Sequence, residues 1–195
     1  MDRVKAYRKI FEDAGVVIDV VKWDGIVDFS DDEMDYAFQL SKALGATALS
    51  TEMAEGKTKR VGQIADKHRM LIGFHNHETM KPEVWEAAFA DGKYIGANVD
   101  IGHFVAGNNT SPLAFMKKYP ERISHLHIKD RKMNGGPSVP FGQGETPIKE
   151  ILQWVRDSKR KLQATLEPAY PVPEGSTLNA ELMKCVQYCK ECLIG

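Results

Sequence analysis

No stretch of this 195-residue chain approaches the roughly 18 apolar residues of a membrane-spanning helix. The opening residues, MDRVKAYRKIFEDAG, read as a charged amphipathic helix and not as an export signal. The expectation is a soluble, cytoplasmic protein, although an upstream segment would carry any signal. Basic residues are not in excess: 26 Lys and Arg face 27 Asp and Glu, so the broad positive field that grips a nucleic-acid backbone is missing. The one short basic run, Lys159-Arg160-Lys161, reads as a solvated helix end. Cysteine is scarce. Cys185, Cys189 and Cys192 are spaced by four and three, which sets them on one face of a terminal helix with Leu182, Val186 and Leu193. Core packing explains them better than a disulfide framework or a thiolate metal site. A glycine-rich phosphate fingerprint after the first strand is also lacking, as are internal repeats, low-complexity tracts and linkers. A single domain over residues 1–195 is expected.

What is present is histidine in an unusual arrangement. Five of the six fall in FHNHE (His75, His77), VDIGH (His103) and SHLHIKD (His125, His127), each ending an apolar, strand-like run. Glu167, in QATLEP, ends a fourth. Such groups are costly to bury unless paired or ligated, so gathering them at one end of successive strands requires a reason. A metal-centred site at the mouth of a parallel barrel supplies one.

The pattern along the chain fits that picture. An opening helix with Val4, Tyr7, Phe11 and Ala14 on one face stops at Gly15, and the β-branched run VVIDVVKW follows. Ser30 opens the next helix, which ends at Gly45. Strands ATALSTEM, MLIGFHNH, YIGANVDIGH, RISHLHIKD and KLQATLE then alternate with helices predicted over 58–69, 82–91, 111–119, 146–158 and 178–193. Alternating βα units imply a parallel sheet covered by helices. Six units with one helix left over at the front read as the last three-quarters of a (β/α)8 TIM barrel, and an open doubly wound sheet is the alternative. An incomplete barrel would expose the edges of its first and last strands, inviting association or homo-oligomers.

Side chains alternate faces along a strand, so parity sorts the candidates. His125, His127 and Lys129 share one face, as do His75 with His77, Asn98 with Asp100, Thr165 with Glu167, and Ser50 with Glu52. If the apolar set faces the helices, then His75, His77, Asp100, His127, Lys129, Glu167 and Glu52 converge at the catalytic mouth. Mixed imidazole and carboxylate donors suit Mn, Co, Mg or Zn. Lys129 with Asp130 reads either as a structural ion pair or, through Lys129, as a substrate contact. Trp23 and Tyr170 suit either sugar stacking or packing. The loop 131–146, with its glycines and Gln143, reads as a substrate cover.

At these residues the chain resembles the xylose isomerase-like TIM-barrel superfamily of sugar isomerases and epimerases, which also includes endonuclease IV. The segments are GFHNHE, NVDIGHFVAGN with SPLAFMKKYPERI, HLHIKDRK, FGQGETPIKEIL and TLEPAYPVPEGS. The likeness runs over most of the chain from about residue 37. Members hold one divalent metal with Glu, Asp, His and Glu. The resemblance therefore implies Asp100, His127 and Glu167 as ligands, with His75 standing where many relatives have the first Glu. It also implies enediolate chemistry on a small sugar or keto sugar, with Glu167 and His77 as acid/base residues and His103, Lys129, Gln143 and Glu52 toward the substrate. An isomerase or epimerase is the leading expectation, and a lyase dehydrating keto sugars or keto-inositols its nearest rival. A phosphodiesterase at abasic sites and a non-catalytic fragment stand behind them.

Overall fold

The structure is a computed structural model that describes residues 2–194. Six parallel strands and eight α-helices are present among the described residues, with strand order β1-β2-β3-β4-β5-β6. Helix α1 (Asp2–Asp13) precedes β1 (Val20–Lys22), and the succession continues through α2 (Asp31–Leu44), β2 (Ala48–Glu52), α3 (Thr58–His68), β3 (Leu71–His75), α4 (Pro82–Phe89) and β4 (Ile95–Asp100). It ends with α5 (Ile101–Asn108), α6 (Leu113–Lys118), β5 (Ile123–Ile128), α7 (Ile148–Asp157), β6 (Ala164–Leu166) and α8 (Leu178–Ile194). This α/β architecture is the incomplete (β/α)8 arrangement of about six units that the alternation predicts.

The chain forms two compact units. The first comprises the residues up to His75 with Pro82–Asn98 and Glu121–Ser124. Its strands pair in parallel register, Leu49 beside Ile72, Glu52 beside His75, and His75 beside Asn98. Phe38, Leu49, Ile72, Phe74, Trp85 and Ile95 are fully or almost fully buried there. Burying aliphatic and aromatic side chains of this size contributes about 1.5–3 kcal/mol each before conformational entropy is subtracted. Trp85 reconciles its polar edge with that core by donating its indole N–H to the Phe74 carbonyl at 2.7 Å. Helix α2 starts as its sequence predicts: the Ser30 hydroxyl accepts from Glu33 N, and the Glu33 carboxylate accepts from Ser30 N at 2.8 Å.

The second unit comprises Asn76–Lys81, Val99–Pro120 and the residues from His125 onward. Its strands β5 and β6 pair with His127 beside Thr165, and α8 lies along α7 and β6. Two cysteines serve that packing as expected, with Cys185 and Cys192 buried and free.

Three sequence expectations are corrected. The first strand shrinks from eight predicted residues to Val20–Lys22. Tyr7 is exposed, so the apolar face of α1 is reduced to half-buried Val4 and Phe11. Most consequentially, the strand predicted to run to His103 stops at Asp100, and residues Ile101–Asn108 are helical. The reason lies in Asp100, whose side chain caps that helix.

Candidate active site

Asp100 ends β4 and is the N-cap of α5; its Oδ1 accepts the backbone N–H of His103 at 2.8 Å. The D-x-G-H spacing is therefore a capping spacing, with the carboxylate satisfying an orphan amide three residues on. Asn76 clamps the same residue from the other side, accepting from Asp100 N at 2.8 Å and donating to Asp100 O at 3.2 Å. Gly102 completes the corner. A Cβ there would lie 2.6 Å from the Lys129 carbonyl oxygen and 2.9 Å from its Cβ and Cγ, so only glycine lets α5 approach β5 this closely.

The remaining Asp100 oxygen, Oδ2, lies 2.8 Å from Lys129 Nζ. Both residues are almost completely buried, at 0% and 3% side-chain exposure. The contact is an ion pair without hydrogen-bond geometry, and Oδ2 is a buried polar atom that accepts no directed hydrogen bond among the described residues. Lys129 Nζ also lies 2.8 Å from Glu167 Oε1 and 2.9 Å from His103 Nε2. Glu167 Oε2 in turn meets His127 Nδ1 at 2.7 Å. Burial works to raise the Glu167 carboxyl, but contacts from His127 and Lys129 outweigh it and hold the group well below the usual carboxylate range.

A second cluster adjoins the first through His103. Its Nδ1 lies 2.8 Å from Glu78 Oε2 and 2.6 Å from Arg131 Nη1, and Arg131 donates to Glu78 at 3.1 Å. Burial pushes His103 below its ordinary value, with the nearby charges of both signs adding smaller effects. Lys129 and Arg131 are both donors and a neutral ring has one lone pair to offer, so it either accepts from Lys129 at Nε2 and donates to Glu78 from Nδ1, or accepts from Arg131 at Nδ1. His77, which is exposed, stacks obliquely against His103 with ring centroids 5.0 Å apart.

The structure thus brings together Asp100, His103, His127, Lys129 and Glu167, with His77 beside them. His75 belongs to the first unit, where it is the last, buried residue of β3. Glu52, at the end of β2 in that unit, is ion-paired to Lys22 at 2.6 Å. Gln143 lies exposed on the loop 131–146, and His125 is buried behind His127 with ring centroids 5.5 Å apart. Tyr170 is buried, with its hydroxyl 3.0 Å from Glu181. Trp23 donates to Ser41 at 3.0 Å.

The ion pair of Lys129 with Asp130 is replaced by a different arrangement. Asp130 faces away from Lys129 and accepts three backbone amides of the following loop, Gly142 at 2.8 Å, Gly144 at 2.9 Å and Thr146 at 3.2 Å. Gly144 is obligatory here, because a Cβ would fall 1.9 Å from Asp130 Oδ1. The end of the loop, residues 142–146, is accordingly pinned. Glu78, Arg131 and Asp130 were missed as partners in the sequence, although Glu78 and Arg131 stand within the FHNHE and KDRK segments.

The described residues include two sets of histidine and aspartate side chains capable of coordinating a divalent metal. No helix among them is long and apolar enough to cross a membrane.

A parallel α/β sheet carrying clustered imidazoles and carboxylates beyond its strand ends defines a class of barrel enzymes. Residues 4–189 match the xylose isomerase-like TIM barrel family, and the chain belongs to it. Among solved structures, a xylose isomerase domain protein from Planctomyces limnophilus superposes with a TM-score of 0.75, covering 98% of this chain and 82% of that one at 14% identity. The probable 3-DHS dehydratase from Bacillus anthracis gives 0.71, covering 100% and 82% at 15% identity. These likenesses describe the fold. An inosose dehydratase from Clostridium botulinum (strain Eklund 17B / Type B) is 33% identical over 84 residues, 40% of this chain. The match spans about a quarter, 27%, of that relative's length.

Proposed function

We propose that this chain is a metal-dependent dehydratase of a keto-inositol or related keto sugar. The observation that carries the proposal is the convergence of Asp100, Glu167 and His103 on one buried ammonium, with His127 bound to Glu167. Two carboxylates and two imidazoles gathered in this way have the donor chemistry for a divalent ion and the polar contacts for a polyhydroxylated ketone. The local likeness to inosose dehydratases supports the dehydration in particular.

The residues present fit an ion. Asp100 Oδ2 is buried and receives no directed hydrogen bond among the described residues, and Glu167 is held anionic. Asp100, His127, Glu167 and His75 are the proposed ligands. When bound, the ion supplies a Lewis acid that stabilises negative charge as the C–H beside the carbonyl is deprotonated.

His77 is the proposed proton carrier. It is the exposed imidazole of the group, and an imidazole nitrogen can either accept or donate a proton, so it serves both to take a proton and to return one to the departing hydroxyl. Glu167 is a restrained base while His127 and Lys129 hold it, since a carboxylate stabilised in this way binds a proton weakly. Lys129 and His103 supply hydrogen bonds to substrate oxygens. Gln143 and Glu52 are proposed as outer contacts.

The test is a panel of keto-inositols and keto sugars incubated with the purified protein and Mn2+, read by mass. Loss of one water supports dehydration. An unchanged mass with a new stereoisomer identifies an isomerase or epimerase instead, which draws on the same enolate. No conversion of any compound by protein with a bound ion sinks both readings.

A further inference from the structure

We infer that Lys129 is a resident cation whose ammonium must leave Asp100 and Glu167 for a divalent ion to be held there. This rests on the metal-dependent reading above and concerns how loading of that site is controlled.

The two carboxylates are built alike. Asp100 has Oδ1 committed to the His103 amide, and its backbone is clamped by Asn76, so only Oδ2 is available. Glu167 has Oε2 committed to His127, so only Oε1 is available. Both available oxygens lie 2.8 Å from the same nitrogen, Lys129 Nζ. They are also the oxygens a divalent ion would draw on. Asp100 and Lys129 are buried whereas Glu167 is partly exposed, so two cations drawn to this pair of oxygens would repel each other most on the Asp100 side, where water screens their charges poorly.

The stem of Lys129 shows how the exchange would be confined. At its base it is wedged against Gly102, where the Lys129 Cβ, Cγ and carbonyl oxygen leave no room for a side chain. Motion is therefore left to the outer carbons and the ammonium, a compact point charge on a flexible stem. His103 Nε2, 2.9 Å away, offers the departing ammonium a neutral acceptor. Such a lysine keeps Asp100 and Glu167 compensated in the folded chain and sets the affinity with which an ion replaces it.

The experiment compares Mn2+ binding by wild type, K129M and K129Q, using calorimetry and melting curves. Both variants are expected to bind Mn2+ at least tenfold more tightly than wild type. In the absence of added metal they are expected to melt lower, and Mn2+ is expected to raise their melting temperatures more than that of wild type. K129Q retains a polar group beside the carboxylates and serves if K129M fails to fold. Binding of Mn2+ with equal or weaker affinity in a folded variant overturns the inference and leaves the metal-dependent reading intact. Absence of Mn2+ binding in all three proteins overturns both. Binding in the variants alone supports the inference in its strongest form.

Discussion

Asp100 and His103 are joined through a helix cap: the carboxylate Oδ1 of the first accepts the backbone N–H of the second at 2.8 Å, while the His103 side chain turns its Nε2 toward Lys129. A substitution at Asp100 therefore removes two things, the cap and the counter-charge of a buried lysine. D100A is expected to lose about 1 kcal/mol for the cap, and more for removing one of the two carboxylates at a buried lysine that still keeps Glu167. D100N keeps a competent cap and should lose less. Urea unfolding of the two variants separates the contributions, and equal losses would assign the whole effect to charge.

Gly102→Ala introduces a methyl group 2.6 Å from the Lys129 carbonyl oxygen. The expected loss is about 1–3 kcal/mol, the range for forcing an extra carbon into packed surroundings. Thermal unfolding measures it. A neutral result would show that α5 can slide away from β5 freely.

The Glu167 carboxyl offers a pH test. Its pKa is lowered in the fold from an ordinary 4.5, so its contribution to stability is fully present above about 4.5 and is lost as pH falls through the folded value. E167Q should be less stable than wild type at pH 7, and the difference should shrink steadily below about pH 4.5. Denaturant titrations at a series of pH values read this directly. A difference that is constant with pH would mean that the His127 and Lys129 contacts do not favour the ionised form.

Asp130 pins the end of the loop 131–146. D130N retains one acceptor oxygen for three amides, and about 1.5–3 kcal/mol is expected to be lost for a hydrogen bond to a charged group. Hydrogen exchange at Gly142, Gly144 and Thr146 should accelerate together. Unchanged protection would mean that the ties of Arg131 to Gly136 and Thr146 hold the loop by themselves.

Much of this arrangement could be read from the chain. Period-two alternation placed His127 and Lys129 on one face of β5, and β-strand parity already sets Asp130 on the other, so the observed split of Lys129 and Asp130 was implicit in SHLHIKD. The end of β4 was less legible, because ANVDIGHFVAG is apolar enough to continue as a strand. Only the capping role of Asp100 decides in favour of a helix. The cluster of Glu78, His103 and Arg131 joins residues up to 53 apart in sequence, and a single sequence carries no periodicity that reports such a pairing. The directions of the Lys129 and Glu167 side chains depend on burial and mutual charge, which a residue pattern does not encode.

Lys129 and Asp130 are consecutive residues whose side chains point to opposite sides of the backbone, one into the cluster of acids and imidazoles, the other into a ring of loop amides. The backbone joining them is thus held from both sides, by the loop amides on Asp130 and by the close approach of Gly102 to the base of Lys129, so the ammonium is presented to the acids from a stem anchored without them.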